Sequence, residues 1–160
     1  MNMVRNRGYL YVGLIAVLLI TMLLGGCGPS NKEIVSQYRQ SVRPILSDLA
    51  QEGEKWDKLR QKSSSGQITD FQFAVTVQND LSPKLVNLQA RMEAIEADKN
   101  LRAIHEIGIK MISKNLQAMN EVVGAVYAGD MSKIASANNL LTEARELERK
   151  YANQLDDFAK

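Results

Sequence analysis

From residue 35 to residue 158, apolar side chains return at spacings of three, four or seven residues, in four separate runs, with polar residues filling the positions between. At 3.6 residues per turn such positions form one stripe along a helix, and a stripe of that kind has to be covered. The first run, about Ser30 to Lys62, carries Val35, Tyr38, Val42, Ile45, Leu49, Trp56 and Leu59. The second, about Thr69 to Ala97, carries Ala74, Gln78, Leu81, Leu85, Leu88, Met92 and Ile95. The third, about Lys99 to Ala128, has Leu101, Ile104, Gly108, Met111, Asn115, Met119, Val122 and Val126 on one side. The fourth, about Met131 to Ala159, runs through Ile134, Ala137, Leu141, Ala144, Leu147, Tyr151, Leu155 and Phe158. Each segment of roughly 30 residues is about 40 Å long as a helix. Joined by short links, the segments cover their stripes against one another in up-down order. The expected fold is therefore all-α, an antiparallel four-helix bundle over residues 31–160.

The punctuation agrees with this reading. Ser30 caps the first helix, with Glu33 as the return half of a capping box. Pro44 falls inside the first stripe and predicts a kink or a short break. "KSSSGQ" (Lys62 to Gln67) is a loop, and Gly129-Asp130 closes the third helix. "DFQFAVTVQ" (Asp70 to Gln78) alternates Phe71, Phe73, Val75 and Val77 as a strand does. Helix is preferred there, since no second strand-like run exists to pair with it. Ser82-Pro83 also has the form of a cap and first residue of a fresh helix, which makes Pro83 a hinge.

Ahead of these runs lies a segment with the layout of an export signal. Arg5 and Arg7 are followed by a stretch from Tyr9 to Leu24 that is apolar apart from Gly13 and Thr21, then by small residues before Cys27, the chain's single cysteine. Read as a membrane anchor instead, Tyr9 to Gly26 is short of the roughly 20 residues that span a bilayer. Leu24-Gly25-Gly26-Cys27 resembles the lipobox of a bacterial prolipoprotein, with all four positions matching. The resemblance implies cleavage after Gly26 at a site recognised through Leu24, Gly25 and Gly26, with a lipid attached to the Cys27 sulfur. Two acyl chains hold a protein on a membrane where one holds it only marginally. On this reading residues 1–26 are a signal peptide, 27–30 a lipidated tether and 31–160 the bundle, anchored outside the cell membrane. Gly28, standing where an aspartate retains many lipoproteins at the inner membrane of Gram-negative cells, favours the outer membrane in such a cell. In a Gram-positive cell the protein sits on the outer leaflet.

Charge narrows the partners. The chain has 20 Lys+Arg and 18 Asp+Glu, and removal of the leader takes away Arg5 and Arg7, leaving 18 of each. A formally neutral domain without a basic cluster lacks the electrostatic footprint of nucleic-acid binding. Catalytic sets are also missing. His105 is the sole histidine, no Glu-x-x-His precedes it, and no glycine-rich phosphate cradle follows a strand. No metal and no cofactor is expected, since Met111 and Met119, the methionines that with His105 would make a haem pair, read as core filler at helical spacing. His105 beside Glu106 reads as a helix-packing histidine or a pH-responsive pair.

Polar residues inside apolar stripes give the candidate sites. Gln78 and Asn115 fix register if buried and paired, or with His105 and Tyr127 form a small polar pocket. Phe73 and Val77, off the main stripe of the second helix, form a candidate docking patch if exposed. The stretch from Leu101 to Phe158, through Leu101 to His105, Gly129-Asp130, Ala137-Asn138, Tyr151 and Leu155, resembles small uncharacterised helical-bundle lipoproteins of Gram-positive bacteria. That resemblance implies fold and location and no activity. The expected protein is a non-enzymatic, lipid-anchored interaction module with an envelope protein as partner. The alternative is an extracytoplasmic sensor or carrier of a small ligand that relays to a separate membrane partner.

Overall fold

A computed structural model describes residues 28–130 and 132–160. Residues 24–27, the lipobox with Cys27, lie outside that range. Among the described residues the chain is entirely helical, without a strand, and consists of four helices. Helix α1 is Asn31–Ser64, α3 is Arg102–Ala128 and α4 is Lys133–Phe158. Helix α2 is continuous through three segments: α-helical Asp70–Thr76, a π-helical turn Val77–Leu81, and α-helical Ser82–Glu93. None of these helices is long and apolar enough to cross a membrane.

Local chemistry sets the ends. Ser30 Oγ accepts from the Glu33 amide at 3.3 Å, which supplies half of the expected capping box. A complete box opens α2, where Thr69 Oγ1 accepts from Gln72 N–H and Gln72 Oε1 accepts from Thr69 N–H. Gly129, at φ +65°, turns the chain out of α3, with Asp130 N–H reaching back to Ala125 C=O at 2.9 Å. This is the six-to-one bond of a Schellman closure, and it needs the left-handed residue that glycine supplies.

The two internal prolines behave differently. Pro44 leaves α1 unbroken. It is exposed, so the Gln40 carbonyl that loses its donor faces water. Pro83 follows the π turn after one residue, Ser82. A wider turn before a proline relieves the clash of its ring with the carbonyl four residues back. The turn also decides the register of α2. The expected stripe ran Ala74-Gln78-Leu81 with Val77 off it; the fold instead runs it through Ala74-Val77-Leu81, burying Val77 and Leu81 completely and leaving Gln78 exposed.

The core is continuous but has two centres. Near residue 30 it gathers Val35, Tyr38, Val42, Ile45, Met92, Leu101, Ile112 and Leu155. Toward the other end of α1 it gathers Trp56, Phe73, Val77, Leu81, Leu85, Met119 and Ala137. Leu49 packs against both. The helices do not share this packing equally. Helices α3 and α4 make the most extensive pairing, α1 rests chiefly on α2, and α1 meets α4 sparsely.

Candidate functional site

The sparse contact between α1 and α4 leaves a groove of about 800 Å³ along the bundle. One wall is α1, from Arg39 through Leu46, Ala50 and Gly53 to Asp57, and the other is α4, from Leu141 to Asp156. Leu85 of α2 and Met111, Asn115 and Met119 of α3 form the floor. Small residues widen the groove on both sides: Ala50 and Gly53 face Ala144 and Ala152. A Cβ added at Gly53 meets nothing within 4 Å, so this stretch of α1 borders open space. Trp56, packed on Phe73 with the rings tilted and their centroids 5.3 Å apart, ends the groove and also lines a second hollow beyond it with Ile134, Asn138 and Leu141.

Near residue 30 the groove is fastened by a buried relay. Tyr151 Oη donates to Tyr38 Oη at 3.2 Å, and Tyr38 Oη lies 3.0 Å from His105 Nδ1. With its oxygen accepting from Tyr151, Tyr38 gives its own proton to Nδ1, which places the ring proton on Nε2. All three residues are about 5% exposed. Burial pushes the His105 imidazole below its ordinary value, against a weaker upward pull from Glu106. Burial also drives the Tyr38 and Tyr151 hydroxyls up, so both stay protonated donors. Arg39 of α1 and Asp156 of α4 form an ion pair beside the relay. Gly108 lets α3 approach here: a Cβ on it falls 3.1 Å from the Tyr151 ring and 2.5 Å from Met92 Cε.

The expected polar pocket does not assemble. Gln78, Asn115, His105 and Tyr127 fall at three places. His105 belongs to the relay. Asn115 lies on the groove floor, but its Nδ2 donates to Met111 C=O of its own helix at 3.0 Å, so it does not tie two helices together. Gln78 and Tyr127 meet each other, with Tyr127 Oη donating to Gln78 Oε1 at 2.6 Å on the exposed surface. Phe73 and Val77 are 5% and 0% exposed, so they form no docking patch. With Leu81 they pack inward, since residues four apart share one face of a helix. The exposed aromatic is the neighbour Phe71, 61% accessible and 5.7 Å from the Tyr127 ring. The alternation Phe71-Phe73 was the available signal: on a helix two residues apart they must face different ways.

One buried charge lies away from the groove. Glu52 is 7% exposed, takes Lys55 Nζ at 2.7 Å on Oε1, and has Lys84 Nζ 3.9 Å from an otherwise unpartnered Oε2. Lys84 is held more closely by Asp80 at 2.5 Å, next to the π turn. Among the described residues no group of three or more His, Cys, Asp or Glu converges as a metal site. Compared with family models, with curated protein sequences and with solved structures, the chain has no significant match.

Proposed function

We propose that this chain is a lipid-anchored, extracytoplasmic, non-enzymatic binding module, an antiparallel up-down bundle whose working surface is the α1–α4 groove. The groove carries the reading: an 800 Å³ opening whose floor is made by the two opposite helices. That volume lies in the range of small-molecule sites, about 300–1,000 Å³. The up-down order is supported by pairs that step in opposite directions along neighbouring helices. Ser63 meets Asp70 while Asp48 meets Arg91; Gln78 meets Tyr127 while Met92 meets Gly108; and Lys114 meets Glu143. The anchor rests on Leu24-Gly25-Gly26-Cys27, separated from the helix that starts at Asn31 by the three residues Gly28 to Ser30. Replacing Cys27 with serine is expected to move the protein out of the membrane fraction and to block leader processing. Unchanged membrane retention with unchanged processing rejects the anchor.

A second reading, docking of an envelope protein, is favoured by one observation. Phe71 and Tyr127 pack together in the open at the end of the bundle remote from residue 30, the end that points away from a membrane holding Cys27. Cross-linking native protein in cells, with Phe71→Ser/Tyr127→Ser as control, tests it. A partner recovered equally with both forms counts against this end as the docking point.

A further inference from the structure

The groove's lining carries charge of both signs, Arg39, Arg43 and Arg145 with Asp57, Glu148 and Asp156. Beside its residue-30 end lies a hollow of about 410 Å³ lined by Lys32, Arg39 and Arg43 and by no acidic residue. Arg39 and Arg43 line the groove as well, so hollow and groove adjoin at these two side chains. Arg39 is neutralised by Asp156, whereas Lys32 and Arg43 have no ion-pair partner among the described residues. From Arg43 to Trp56 the groove then runs about 20 Å at 1.5 Å per residue. Its floor over that length has one polar side chain, Asn115, whose NH₂ is already spent on Met111. Both walls are helices, whose backbone groups bond within themselves and have nothing to offer an extended peptide. A narrow chain without polar groups along its length, ending in an anion, fits both the shape and the charge.

We propose that the groove binds a long-chain fatty acid, its carboxylate at Lys32 and Arg43 and its chain laid over Leu46, Leu49 and Met119 toward Trp56. This rests on the groove being the working surface. A fatty acid seated so enters from the end nearest the tether, where a membrane would supply it.

The test uses the full-length protein in its native membrane, exposed to a long-chain fatty acid carrying a diazirine in the chain, with cross-linked residues mapped by mass spectrometry. Labelling is expected at Leu46, Leu49, Met119 or Leu141. Gly53→Leu plugs the groove where its side chain has room, and should cut that labelling at least tenfold while leaving the melting temperature unchanged or higher. Ala50→Leu is the second plug. Arg43→Glu should cut labelling by the acid at least tenfold but leave labelling by the methyl ester unaltered. Groove labelling that is equal for acid and ester, insensitive to Arg43→Glu yet lost on plugging, overturns the fatty acid and leaves the groove reading standing. Stronger groove labelling from phosphatidylglycerol carrying the same diazirine overturns it in favour of a membrane phospholipid. If no probe labels the groove, or if plugging changes nothing, the ligand and the groove reading fall together.

Discussion

Tyr38 has the largest share of hydrogen bonds in the buried relay, since it both accepts from Tyr151 and serves His105 Nδ1. Tyr38→Phe strands two buried polar groups at once, and leaving such groups unpaired costs about 1–3 kcal/mol. Tyr151→Phe removes only the outer donor, a loss of about 0.5–1.5 kcal/mol. Urea denaturation should rank the two in that order, and equal losses would mean that Tyr38 does not donate to the ring. His105 adds a pH term. Its folded-state pKa is depressed by burial, so the unfolded chain takes up a proton first as pH falls. Stability from the neutral ring is full above the unfolded value near 6.5 and declines as pH drops below it, until the folded ring also titrates. Thermal melts at pH 7.5 and 5.5 should therefore show a larger drop for the native protein than for His105→Gln; equal drops assign the loss to carboxylates. The burial of this trio was legible in the sequence but its connection was not. Tyr38 and Tyr151 read as stripe positions and His105 as a packing residue, a partner of Glu106 or a member of a pocket with Gln78, Asn115 and Tyr127, because periodicity reports a face and not which positions on three helices share a level.

Among the helices, two glycines on the same kind of stripe have opposite meanings. Gly53 borders the groove with open space at its missing Cβ, while Gly108 lies against Tyr151 and Met92. Alanine in place of Gly53 should stabilise α1 by about 0.5–1 kcal/mol through reduced backbone freedom. Alanine in place of Gly108 gains the same propensity but drives a methyl into the Tyr151 ring, and overpacking of that kind costs about 1–3 kcal/mol. Melting temperatures should shift up for Gly53→Ala and down for Gly108→Ala; a shift of the same sign for both would remove the close approach of α3 and α4 as a constraint. The stripes themselves were readable because a three-four repeat over many turns has few competing explanations. The register of α2 was not, since Ala74 to Leu81 satisfies the repeat through Gln78 or through Val77. Burial of valine over glutamine, with a π turn ahead of Pro83, settles a choice that spacing leaves open. The helix ends were similarly half legible: Gly129 announces its closure, whereas α2 stops at Glu93, short of the expected Ala97, and the chain reaches fully buried Leu101 through a turn.

For the molecule as a whole, four amphipathic stripes dictate mutual burial but do not dictate equal burial. The stripe of α1 skips one position, from Leu49 to Trp56 across Gly53, but that gap alone did not announce that α1 would lean on α2 and stand off α4. That asymmetry comes from the small residues: Ala137, Ala144 and Gly108 let α4 settle deeply on α3, and α1 then has no large side chains at Ala50 and Gly53 to close the remaining gap. The consequence is an uneven distribution of stability. Backbone amides open most readily where few buried contacts hold their element, and least readily where packing is dense. Amides in the facing halves of α3 and α4, from Gly108 to Val123 and from Ala137 to Tyr151, should exchange slowest. Those of α1 beyond Trp56, past the relay and flanked by the groove and the second hollow, should exchange faster by one or more orders of magnitude. The relay end of α1, from Val35 to Ile45, should fall between. Native-state hydrogen exchange followed by mass spectrometry reads this order directly. Uniform protection across all four helices would mean that α1 is bound to α4 as firmly as α3 is, and the groove would lose its standing as a place where the bundle can admit anything.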